Sequence, residues 1–118
     1  MRFLMYTMGD ESVPLPRPTP EKMAKLGPFM AEARKAGIVL ATGGLGPTSE
    51  GVEVQSTGGS FTVTDGPFTE AKELIGGWML IEMPSKADAV EWAKRLLGIT
   101  GGEARVRRTY GPEDFGSG

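Results

Sequence analysis

Three kinds of side chain in this sequence are suited to moving a proton or holding an anion, and two of them fall in one stretch, TDGPFTEAKELIGGW, residues 64–78. The carboxylate of Asp65 is a candidate base. The ammonium of Lys72 is a candidate partner for an enolate or another anionic oxygen. Tyr6, in the first apolar stretch, is a candidate hydrogen-bond or proton donor. The sequence contains no histidine and no cysteine. That removes the commonest general base near neutral pH and every thiolate role, and leaves acid–base work to carboxylates, lysine and tyrosine. The expected pocket is walled by Gly66, Pro67, Phe68, Glu73, Gly77 and Trp78. A carboxylate beside Phe68 and Trp78 would be partly desolvated, which makes it a usable base. Gly76-Gly77 would let a ligand approach the backbone closely.

The same residues have a purely structural reading. Asp65 would accept backbone amides in an Asx turn, and Pro67 would preset φ within that turn. Phe68 would fill the core, Thr69 would cap a short helical turn, and Lys72 and Glu73 would be solvated. Gly76-Gly77 would form a bulge at the start of a strand. Both readings stand at the level of sequence.

Other constellations are weaker. Gly43-Gly44-Leu45-Gly46-Pro47 lacks the Lys-Ser/Thr of a phosphate-binding loop and the spacing of a dinucleotide fingerprint. Asp10-Glu11 with Asp65 would suit a hard cation, but a loop cap is the simpler role, and neither a metal nor a cofactor is expected. Arg105, Arg107 and Arg108 form a short basic cluster. A solvated strand face paired with Glu82 or Glu53 explains it without a nucleic-acid partner. The seven methionines read as core and interface filler.

The elements that must position these groups follow from the rest of the chain. Its 118 residues, with a formal charge of -2, suit one domain spanning 1–118. No apolar run approaches the roughly 20 residues of a membrane helix, and MRFLMYTMGD is too short a run for a signal peptide. A soluble, cytoplasmic protein is expected. Residues 2–8 read as a buried strand. ESVPLPRPTP, with four prolines, is a loop whose end starts a helix at Thr19-Pro20. That helix should run to about Ala36 on a stripe of Met23, Leu26, Met30 and Ala33, with a kink or a break at Gly27-Pro28 and Gly37 as its stop. Strands follow at Ile38–Ala41, Val52–Ser56 and Ser60–Thr64, the last two joined by Thr57-Gly58-Gly59. A further strand is expected at Trp78–Met83. Ser85 with Asp88 caps a second helix that buries Ala89, Trp92, Ala93 and Leu96 and ends at Gly98. Glu103–Tyr110 is the last strand, and the aromatic of Phe115 is a candidate anchor in the polar tail. Two β-α-β halves around an inserted hairpin make an α+β, ferredoxin-like βαββαβ domain with both helices on one face. The opposite face would be bare, which points to a homodimer.

The segments MRFLMYTMGDE, DGPFTEAKELIGGWMLIE and AVEWAK, and the ending Tyr110-Gly111 followed by PEDFG, carry a family likeness. The chain resembles the DGPF branch of the YCII-related proteins over nearly its whole length. The resemblance implies a dimeric α+β barrel. It also implies kinship with enzymes acting on small ring compounds, one type of which uses a His–Asp pair. Asp65 matches the acidic member of that pair, while the histidine has no counterpart here. The function so implied is binding of a small hydroxylated or anionic compound near the DGPF loop, with cofactor-free lyase or isomerase chemistry as its catalytic form. Members of this family are often encoded beside, or fused to, extracytoplasmic-function sigma factors. That implies the alternative of a non-catalytic regulatory module with a sigma-factor partner.

Overall fold

The computed structural model of the chain describes residues 1–9, 19–67 and 74–115. Among these the element order is β1 (Arg2–Gly9), α1 (Pro20–Lys35), β2 (Val39–Gly44), β3 (Val52–Thr57), β4 (Ser60–Asp65), β5 (Leu74–Glu82), α2 (Lys86–Thr100) and β6 (Glu103–Thr109). Short 3-10 turns lie at Thr48–Glu50 and Pro112–Asp114. β2, β5, β1 and β6 form a four-stranded sheet in that order, antiparallel throughout, while β3 and β4 pair only with each other. The four-stranded sheet with its two helices is the ferredoxin-like α+β arrangement, and β3–β4 is the inserted hairpin. Among the described residues no helix is long and apolar enough to cross a membrane.

Alternation along the strands sorts the sheet into two faces. Phe3, Met5, Met79 and Ile81 join Met83 and the α2 residues Ala89 and Ala93 in the core, with Met30, Trp92, Leu96 and Val106 packed around them. The other face carries two rows set by the pairing. Gly43, Trp78, Tyr6 and Arg105 lie side by side across all four strands, and Ala41, Leu80, Leu4 and Arg107 form the next row. A register shift at Leu40 changes the phase of β2, so that Val39 joins the core side while Ala41 joins the open side.

Local chemistry explains the helix ends. The Thr19 hydroxyl accepts the Lys22 N–H, and Pro20 occupies the first turn. At the far end Gly37, at φ 71°, donates to the Arg34 carbonyl, and Ile38 donates to that of Ala33. This pair of bonds is a Schellman stop. The Ser85 hydroxyl accepts the Asp88 N–H and donates to the Asp88 carboxylate.

Several sequence expectations are corrected. α1 is unbroken through Gly27-Pro28. Both Pro28 and Ala24, whose carbonyl loses its helical donor, are exposed, so water takes the donor's place. The buried anchors of α1 are Phe29 and Ala33, whereas Met23 is 53% exposed. Phe29 packs at 5.5 Å on Trp92, and Arg95 of α2 lies 4.4 Å over the Trp92 ring while pairing with Glu32 of α1. The Arg95 hydrogen bond holds the Glu32 carboxyl below its ordinary range. Gly98 does not end α2, which continues to Thr100 and stops at Gly101, whose φ is 70°.

A Cβ on Gly98 meets no atom within 4 Å. Gly98→Ala should therefore stabilise the protein by about 0.5–1 kcal/mol in urea unfolding, through helix propensity alone.

Candidate functional site

The site is a glycine-lined corner where β2 and β5 meet. Opposite Thr7 of β1, β5 carries the extra residue of a bulge at Gly76-Gly77, between the Tyr6–Trp78 and Met8–Ile75 pairs. The Thr7 hydroxyl accepts the Gly77 N–H at 2.9 Å, and a Cβ on Gly76 would lie 3.2 Å from it. The bulge expected at these glycines is present, and it re-aims the strand just before Trp78. On the other side of β5, the Leu45 N–H donates to the Gly76 carbonyl at 2.8 Å, which extends the β2 edge into the loop.

Trp78 lies across Gly43. A Cβ on that glycine would come within 3.0 Å of the indole ring carbons. The ring can lie against β2 only because position 43 has no side chain. Tyr6, next in the row, is 7% exposed, and Trp78 is half-buried. Arg105 closes the row and pairs with Glu103 at 3.4 Å. Arg107 is exposed in the row beside it. The expected pairing of the arginines with Glu82 is not formed. Glu82 instead holds Arg2 at 3.4 Å and the terminal ammonium at 3.1 Å. Arg108 stacks 4.7 Å over Tyr110, which meets Phe115 at 6.3 Å, and Phe115 remains 77% exposed.

Asp65, Gly66 and Pro67 lie at the base of the β3–β4 hairpin. β2 runs through Leu45 into the 3-10 turn Thr48–Glu50, and the Gly66 N–H donates to the Gly51 carbonyl at 2.9 Å. Gly66 lies directly on that turn, since a Cβ there would sit 1.7 Å from the Thr48 carbonyl oxygen. The Gly66–Pro67 peptide is cis.

Asp65 belongs to β4, paired with Val52, and not to the four-stranded sheet. Its carboxylate is exposed. The Asx turn is not formed among the described residues, because the Gly66 N–H is taken by Gly51 and Pro67 has no N–H. Among the described residues nothing buries Asp65 as base chemistry would ask. Tyr6, Gly77 and Trp78 share the sheet, whereas Asp65, Gly66 and Pro67 share the hairpin base. Phe68, Lys72 and Glu73 lie outside the described residues, as do Asp10 and Glu11. Among the described residues no three carboxylates gather as a metal site.

Sequence reasoning missed Gly43 and Thr48. The glycine run 43–46 was visible as a loop, but only the β2–β5 register shows which glycine lies beneath the indole. A shallow groove of about 380 Å³ lies elsewhere, between the helices, lined by Lys25, Pro28, Phe29, Glu32, Arg95 and Ile99.

The family model for the YCII-related domain matches residues 1–108, and the chain belongs to that family. No curated protein matches it. Among solved structures it is similar to 5-chloro-2-hydroxyhydroquinone dehydrochlorinase from Burkholderia phenoliruptrix in complex with 2,5-dihydroxybenzoquinone. The identity is 14%, the match covers 96% of this chain and 97% of that one, and the TM-score is 0.49.

Two glycine substitutions test the corner. Gly66→Ala should destabilise by about 1–3 kcal/mol in urea unfolding, because the Thr48 carbonyl must move. Gly43→Ala should shift the Trp78 fluorescence and near-UV dichroism at a smaller cost in stability. If neither substitution alters stability or the tryptophan signal, the corner is not packed as described.

Proposed function

We propose that the chain works as a homodimer in which the open faces of two four-stranded sheets meet. Each copy then binds a small hydroxylated or anionic compound at the corner formed by Trp78, Tyr6, Gly77 and the DGPF turn. The observation that carries this reading is the row Gly43–Trp78–Tyr6–Arg105 on the face the helices leave open. An indole lying on a glycine presents a flat apolar wall, a tyrosine adds a hydroxyl, and an arginine adds a fixed cation. Such a set fits a ring compound bearing hydroxyl or carboxylate groups, with few polar contacts fixing its orientation.

Where chemistry accompanies binding, the reading is a cofactor-free lyase or isomerase step. Asp65 takes a proton, and Lys72 and Tyr6 hold the developing oxyanion or return the proton. Gly66 and Pro67 then shape the turn that follows Asp65. A regulatory module without chemistry, working with a sigma factor, is the alternative. It predicts that no compound of this class binds at Trp78.

A thermal-shift screen of hydroxylated benzoates, dihydroxybenzenes and short keto acids tests the reading. A ligand at 100 times its dissociation constant adds about 2.7 kcal/mol, which raises the midpoint by several degrees. The shift should vanish in Trp78→Ala and weaken in Tyr6→Phe. A shift that survives both substitutions moves the site away from this face.

A further inference from the structure

The β3–β4 hairpin is amphipathic in a way its own chain does not use. Its register places Val52, Val54, Phe61, Val63 and Asp65 on one face, and Glu53, Gln55, Thr62 and Thr64 on the other. The turn is the two-residue Gly58-Gly59, both at positive φ, which matches the twist of the paired strands. Yet Val52, Val54, Phe61 and Val63 are 53%, 61%, 74% and 64% exposed. A lone two-stranded hairpin is marginal in water, and a contiguous apolar face of this kind on a soluble chain marks an interface. The radius of gyration is 17.0 Å, where a compact domain of this length has about 13 Å. The molecule is only 19 Å thick against 49 and 44 Å in its other dimensions. One copy therefore leaves the hairpin bare and one sheet face without a covering helix, with Leu4, Trp78 and Leu80 half-buried there.

With two sheet faces joined, the arm and the β6 rim of the partner's face complement each other. The arm carries aliphatic and aromatic groups with one carboxylate, that of Asp65, at its base. The open sheet face carries Leu4 and Leu80 beside Trp78, with Arg105 and Arg107 along β6. Two copies that exchange arms satisfy both surfaces twice through one two-fold axis.

We infer that the β3–β4 hairpin is an arm whose apolar face is covered by a second copy of this chain, and that this embrace brings the Asp65 carboxylate to the partner's open sheet face. The inference rests on the pairing proposed above and adds that the arm holds it. It also gives Asp65 a burial that the described residues of its own chain do not, so a site on the sheet face is completed in trans. Gly66, close on Thr48 and bonded to Gly51, holds the two legs of the arm together at its base.

Sedimentation velocity over a dilution series tests this. The wild-type chain should sediment at twice 12.6 kDa. Val54→Asp with Val63→Asp should raise the dimer dissociation constant about 100-fold or more, as loss of two buried anchors does. Glu53→Lys with Thr62→Lys, on the opposite face of the same hairpin, should leave it unchanged. Far-UV dichroism checks that each protein is folded. If the aspartate pair does not fold, Phe61→Cys gives a second readout, since the chain has no other cysteine. Its thiol should react with a disulfide reagent several-fold more slowly at concentrations where the protein is dimeric than on dilution. A dimer that V54D/V63D leaves intact, or a position-61 thiol whose reactivity ignores concentration, overturns the arm and leaves the sheet-face pairing standing. A wild-type chain that stays monomeric overturns both. Compound binding at Trp78 is read separately and decides neither.

Discussion

Two helices cannot cover two faces of a four-stranded sheet. Here α1 and α2 both fall on the side of Phe3, Met5, Met79 and Ile81, because the β-α-β crossovers of a βαββαβ chain share one hand. Every other feature of the molecule follows from what that leaves on the opposite side. The core side is apolar and methionine-rich. The open side mixes Leu4, Leu80, Tyr6 and Trp78 with Arg105 and Arg107, which is the composition of a surface that meets something.

The glycines then set where the chain packs closely. Gly43 accommodates the Trp78 indole, and Gly76-Gly77 yields to the Thr7 hydroxyl. Gly66 brings the DGPF turn down onto the Thr48 carbonyl. Each of these close approaches depends on a missing Cβ at the point of contact. Of the stretch 64–78, Asp65 and Gly66 close the base of the hairpin, and Gly77 and Trp78 belong to the four-stranded sheet.

Much of the fold was legible. Strong local signals were read correctly: Thr19-Pro20 and Ser85 with Asp88 as caps, Gly37 as a stop, Gly58-Gly59 as a hairpin turn, and the alternation of Ala104 and Val106 with Arg105 and Arg107. The errors share a cause. Pro28 and Gly98 look like breaks when taken locally, yet α1 and α2 run through them, because packing of Phe29 against Trp92 and of Ala93 against the sheet outweighs propensity. The site was half legible. Tyr6, Gly77 and Trp78 were named from sequence and share one sheet. The sequence reading sets Asp65 beside Trp78, but local sequence does not show that the hairpin pairs only with itself. Gly43 was invisible for the same reason: its partner, Trp78, is 35 residues away and known only from register.

The central claim is that the face bearing Trp78 is the one the protein uses. The chain has two tryptophans, so Trp92→Phe leaves Trp78 as the sole emitter. Acrylamide quenching of that variant, followed as protein concentration rises and then as a bound hydroxylated compound is added, reads the face directly. The account predicts a quenching constant that falls with concentration and falls again with the compound. A constant that stays the same through both would show that nothing covers this face, and would contradict the account.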